Sequence, residues 1–156
     1  MKKLIQLTFI CSALVATVLF TSCSSNEKKD SLDVRDSVAI INSSLNHLLK
    51  TAELPEDYFN QPLKLIVPKG LSTSSNIVVN GKKCILLPNG TSPSKMMKNM
   101  NIFKPIPLVE ISSLKKENGI ITIELILRST GHDFLIEMKE NKKNRFTFTK
   151  LRERTI

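Results

Sequence analysis

The chain has 156 residues, with 23 Lys+Arg against 14 Asp+Glu and a formal charge of +9. That length suits one modest domain behind a processed leader. With 41% hydrophobic and 24% charged residues, the chain is too apolar to be disordered and too interrupted by charge for a multi-span membrane protein. Its three cysteines cannot staple a disulfide-dense mini-scaffold.

Chain order begins with an export leader. Lys2 and Lys3 precede an apolar stretch from Leu4 to Phe20, and no further charge occurs before Glu27. The run is short for a spanning helix and no basic cluster directly follows it, so a cleaved signal is expected over 1–22. The residues Leu19-Phe20-Thr21-Ser22-Cys23 then resemble the lipobox of bacterial lipoproteins, with Phe20 standing where the pattern prefers Leu or another aliphatic residue. The resemblance implies that Cys23 is acylated, becomes the mature N-terminus and anchors the chain to a membrane through lipid. Two or more acyl chains suffice for stable attachment. The polar stretch 24–31 reads as a flexible tether, similar to the sorting region behind the lipidated cysteine in Bacteroidota lipoproteins. Residues 23–31 are therefore lipidated cysteine plus tether, and 32–156 a single domain. The implied location is the bacterial envelope, on the outer membrane in preference to the inner, with the domain in the periplasm or at the cell surface.

Asp30-Ser31-Leu32 and Asp36-Ser37-Val38 resemble the Asp-Ser/Thr-aliphatic acceptors of Bacteroidota O-glycosylation, which marks Ser31 in the accessible tether as the candidate. Asn89-Gly90-Thr91 is a formal N-glycosylation sequon but reads as a turn in a bacterial chain. With Cys11 in the leader and Cys23 lipidated, Cys84 is left single in the apolar run 83–87 and is expected as core filler.

Within the domain, Val34, Val38, Ile41, Leu45, Leu48 and Ala52 recur at steps of three and four and predict a helix over 33–52. Asp30 or Ser31 is its expected cap, and Pro55 its stop. Its other face carries Arg35, Asn42, Ser43, Asn46 and His47. A strand follows over 63–67, between Pro62 and Pro68. Ile77-Val78-Val79 and the run 83–87 flank Asn80-Gly81, a hairpin signal, because both residues tolerate positive φ. Ser92-Pro93 opens a short helix through Met100 with Met96, Met97 and Met100 as its apolar contacts.

The last fifty residues read as a four-stranded meander with strands at 106–113, 119–128, 133–140 and 144–152. Ile121, Ile123, Leu125 and Leu127 share one face, as do Phe134, Ile136 and Met138, and Phe146 and Phe148. Asp133, Glu137 and Lys139 fall on the opposite face. Short links make neighbours antiparallel. The fold class is therefore α+β, with an N-terminal amphipathic helix packed on a mainly antiparallel sheet. Cystatin-like and NTF2-like folds share this helix-then-meander order.

No chemistry announces itself. His47 and His132 are far apart in sequence with no CxxC or HExxH beside them, so no metal and no cofactor is expected. Ser129, His132 and Asp133 span one tight turn and read as turn chemistry. Glu110, Glu124 and Glu137 fall on central strands, where cross-strand pairing with Lys and Arg is the expected role. Glycine-rich phosphate loops are absent. Basic residues gather late: Lys139, Lys142, Lys143, Arg145, Lys150, Arg152 and Arg154 against Glu137, Glu140 and Glu153. For an exported chain with few aromatics, nucleic acid is not an expected partner. The candidate partner-binding edge is Lys142, Lys143, Arg145, Arg152 and Arg154, facing an envelope protein or anionic headgroups. The expectation is a non-catalytic binding or assembly module. Its alternative is a small enzyme or enzyme inhibitor with a pocket between helix and sheet using Glu110, Glu124 or His132.

Overall fold

The computed structural model describes residues 32–98, 106–142 and 145–156. Cys23, Ser31, Met100 and Lys143 lie outside them, so the lipidation site, the glycosylation candidate and one residue of the basic edge have no structural account. Among the described residues no helix is long and apolar enough to cross a membrane.

Helix α1 (Val34–Thr51) begins at Asp33, whose carboxylate accepts the Asp36 N–H at 2.8 Å. The cap is thus Asp33, not Asp30 or Ser31: it stands one residue before the first helical position, where its side chain reaches an orphan N–H. The buried face is Ile40, Ile41, Ser44, Leu45 and Leu48. Val34 was expected on it but is 52% exposed, because the first turn borders an open groove rather than the core. A short helix, α2 (Asp57–Asn60), follows and buries Tyr58.

Six strands make the main sheet, in the order β4-β1-β5-β6-β7-β8. They are β1 (Lys64–Ile66), β4 (Ile85–Leu87), β5 (Leu108–Glu117), β6 (Ile120–Leu127), β7 (His132–Lys142) and β8 (Arg145–Thr155). The last four form the expected antiparallel meander. However, β1 lies parallel to both β4 and β5, so one end of the sheet is parallel. Parallel neighbours need a crossover. The small hairpin of β2 (Val78–Val79) and β3 (Lys82–Lys83) lies on the first crossover, and α3 (Pro93–Met97) on the second.

That hairpin corrects one expectation. Asn80 and Gly81 do turn, at φ 49° and 74°, but the arms pair for only two residues each. Cys84 still donates to the Ile77 carbonyl at 2.8 Å; Ile85–Leu87 then leaves to ladder with β1, whose Leu65 and Ile66 are buried. The hairpin is held against α1 instead. Asn42 Oδ1 accepts the Val78 N–H at 2.8 Å, Asn46 Oδ1 accepts the Asn80 N–H at 3.1 Å, and Asn46 Nδ2 donates to the Val78 carbonyl at 3.2 Å. His47 stacks on Phe148, ring centroids 3.8 Å apart. The face of α1 opposite its apolar stripe is thus in part a second packing face.

The core lies between α1 and the inner face of the sheet. Ile121, Ile123, Leu125, Leu127, Phe134, Ile136 and Met138 are all buried there with Ile41, Leu45 and Leu48. Phe146 and Phe148, expected with them, are only partly buried, since β8 is the outermost strand. A register shift at Ser112 places Ile111 opposite Leu125 and Leu114 opposite Ile123, so both face inward. Ser112 is a bulge that breaks the two-residue period. The strand consequently runs on to Glu117, past its expected end at 113, and the turn is Asn118-Gly119, at φ 52° and 75°.

Candidate functional site

The outer face of the sheet, opposite α1, carries the carboxylates singled out above. Their positions follow from alternation: residues opposite one another in register share a face. Glu110 receives Arg128 through Nε at 2.7 Å and a second guanidinium nitrogen at 2.6 Å. Glu137 meets Lys150 at 3.2 Å. Glu124 accepts the Ser112 hydroxyl and the Arg154 guanidinium, the latter at 2.6 Å. Each of these carboxylates has a cation across the strands, in the role the sequence suggested. None of the three lines either of the grooves described below, and the space between α1 and the sheet is filled with side chains.

The turn residues Ser129, His132 and Asp133 are separated by their partners. Ser129 meets the buried Tyr58 hydroxyl, His132 meets Glu153 through Nδ1, and Asp133 meets Arg154 at 2.5 Å. Asp133 departs from expectation, because only 6% of it is exposed. One carboxylate oxygen takes Arg154, while Oδ1 is buried with no hydrogen-bond partner. Burial, and then the neighbouring Glu124 charge, push its carboxyl above the ordinary range against the pull of Arg154. Arg154 thereby bridges two carboxylates on adjacent strands. Among the described residues no group of three or more His, Cys, Asp or Glu gathers as metal ligands. Cys84 is buried, and desolvation pushes its thiol up to about 11.

The accessible feature of this face is its margin. The sheet has two edges, β4 with three residues and β8 with eleven. β7 covers one side of β8 along its length, and among the described residues no strand pairs with the other. Of the expected basic edge, Lys142 and Arg145 face each other at the β7–β8 turn and Arg152 projects beside Leu135; all three are exposed. Arg154 is committed to Glu124 and Asp133. All four described residues of this set are exposed, and Arg154 differs from the other three in being paired with two carboxylates.

A groove of about 650 Å³ lies elsewhere, at the start of α1. Leu32, Val34, Leu71 and Leu114 line it, with Lys69, Lys115, Lys116 and Glu117 around them. No sign of it was legible in the sequence, because Leu114 reaches it only through the Ser112 bulge and lies beyond the expected end of the strand at 113. A second cavity of about 340 Å³ lies between α3 and the ends of β6 and β8, touching Ile126, Arg128 and Ile156.

Comparison of the chain with protein-family models, curated proteins and solved structures returns no match.

Proposed function

We propose that this chain is an exported lipoprotein, anchored through Cys23 to the bacterial outer membrane, whose domain is a non-catalytic binding or assembly module in the periplasm or at the cell surface. The observation that carries the binding part is β8: an eleven-residue strand with an open side and exposed Lys142, Arg145 and Arg152 on or beside it. An open edge offers unpaired backbone groups to an extended segment. Its positive charges disfavour pairing with a second copy of itself and favour an acidic partner.

The supporting argument against chemistry is physical. Glu110, Glu124 and Glu137 each have a cation against them, and none of them lines either groove, so no pair of carboxylates converges on a space that a substrate could enter. Helix-then-meander order is shared with cystatin-like and NTF2-like folds, a likeness of layout that licenses no activity. In the same reading Ser31 is the O-glycosylation candidate in the tether.

The test is affinity capture from solubilised envelopes with wild type and a Lys142→Glu/Lys143→Glu/Arg145→Glu variant. An envelope protein recovered by wild type and lost by the variant supports the reading. Equal recovery by both, or no recovery above an unrelated lipoprotein, overturns it.

A further inference from the structure

We infer that the groove at the start of α1 binds an anionic phospholipid of the membrane that holds the chain, an acyl chain lying on Leu32, Leu71 and Leu114 and the phosphate meeting Lys69 and Lys115. The inference rests on the anchoring reading for its placement. Leu32 is nine residues after Cys23, and a fully extended stretch of that length spans about 30 Å at most. The groove therefore sits at the end of the domain nearest the lipid anchor.

Composition argues for an occupant from the membrane. At about 650 Å³ the groove is of the size that takes a small ligand. Its floor is apolar, and Val34, at 52% exposure, adds apolar surface at its mouth. The tether residues Ser24-Ser25-Asn26-Glu27-Lys28-Lys29-Asp30-Ser31 contain no apolar side chain, so the adjoining chain has nothing with which to cover that floor. Lys69 and Lys115 are exposed at the rim, beside Glu117; Lys116 is held by Glu140 at 3.6 Å. Two lysines without an ion pair among the described residues, set over an apolar trough, match a lipid, which joins a negative headgroup to a hydrocarbon chain.

All the buried apolar residues lie between Ile40 and Met138, so a chain of residues 24–156 carries the whole described core without leader or lipid. This chain is mixed with vesicles of phosphatidylcholine alone or with one-third phosphatidylglycerol, and binding is read by flotation. Selective binding to the anionic vesicles is expected. A Lys69→Glu/Lys115→Glu variant should bind at least about 30-fold more weakly, from the contribution of each surface lysine. Val34→Ser, which keeps every charge, should also bind measurably more weakly, while Lys95→Glu/Lys98→Glu, at exposed lysines away from the groove, should bind as wild type. Circular dichroism confirms that each variant folds. The inference is overturned by equal binding to both vesicles, by no binding, by an unchanged Val34→Ser, or by a Lys95→Glu/Lys98→Glu variant that loses as much as the groove variant. Because this chain carries no Cys23, the outcome is independent of whether Cys23 is acylated, which intact mass of the membrane-extracted protein reports separately.

Discussion

Replacing Arg154 by alanine isolates the energetics of the outer face. Arg154 joins Asp133 at 2.5 Å and Glu124 at 2.6 Å. Breaking a fully buried ion pair costs about 3–5 kcal/mol, because one charge is left buried and uncompensated, whereas exposed pairs are worth under about 1 kcal/mol. This site is intermediate: the Asp133 side chain is 9% exposed but that of Arg154 is 59% exposed. A loss of about 2 kcal/mol at neutral pH follows. Its pH dependence has a definite sign. The Asp133 carboxyl is already raised by burial and by Glu124, and Arg154 is what pulls it down; without Arg154 it rises further. A native carboxyl that holds its proton more tightly than in the unfolded chain loses stability as pH rises from the ordinary carboxylate value through the raised one, and the penalty is complete above it. Arg154→Ala should therefore be nearly silent near pH 4 and fully destabilising near pH 7.5, as about 2 kcal/mol is felt only when Asp133 is ionised. Adding Asp133→Asn should restore most of that loss, because the buried charge is gone. Urea unfolding of wild type, Arg154→Ala and Arg154→Ala/Asp133→Asn at the two pH values measures all of this. A loss that is equal at both, or below about 0.5 kcal/mol at pH 7.5, would refute the assignment of Asp133 as a buried, Arg154-compensated carboxylate.

Ile123 is fully buried at the centre of β6, so Ile123→Asp should cost about 4 kcal/mol or leave the chain unfolded, read by chemical denaturation. Cys84, buried with its thiol raised to about 11, should react with a thiol reagent at pH 8 only after denaturant is added; rapid labelling of the native chain would contradict its placement. Asn42→Ala removes the acceptor of the Val78 N–H and should cost about 1 kcal/mol, with amide exchange accelerated at Val78 before the rest of the domain. Gly81→Val puts a β-branched residue at φ 74° and should destabilise by at least about 1 kcal/mol, which thermal unfolding would register.

Local patterns carried α1 and the meander. A helix whose apolar residues return every three or four positions has one face to bury, and strands linked by two to four residues have only antiparallel neighbours available. The cross-strand cations of Glu110, Glu124 and Glu137 were legible for the same reason, since alternation assigns residues to a face before any partner is known. The groove was not. Its lining joins the start of α1, the loop after β1 and the end of β5, three segments that no sequence window contains together.

By itself, then, the sequence determined α1, the four strands of the meander and which face of β6 and of β7 is apolar, because these are periodicities written within one segment. Tertiary structure decided the rest. It inserted β1 between β4 and β5 in parallel, since a three-residue strand finds its neighbours by burial of Leu65 and Ile66 and not by its connecting turns. It set the bulge at Ser112 that turns Leu114 inward. And it placed Asp133 under cover beside Arg154, because whether an outward-pointing residue meets water depends on what the distant parts of the chain lay over it.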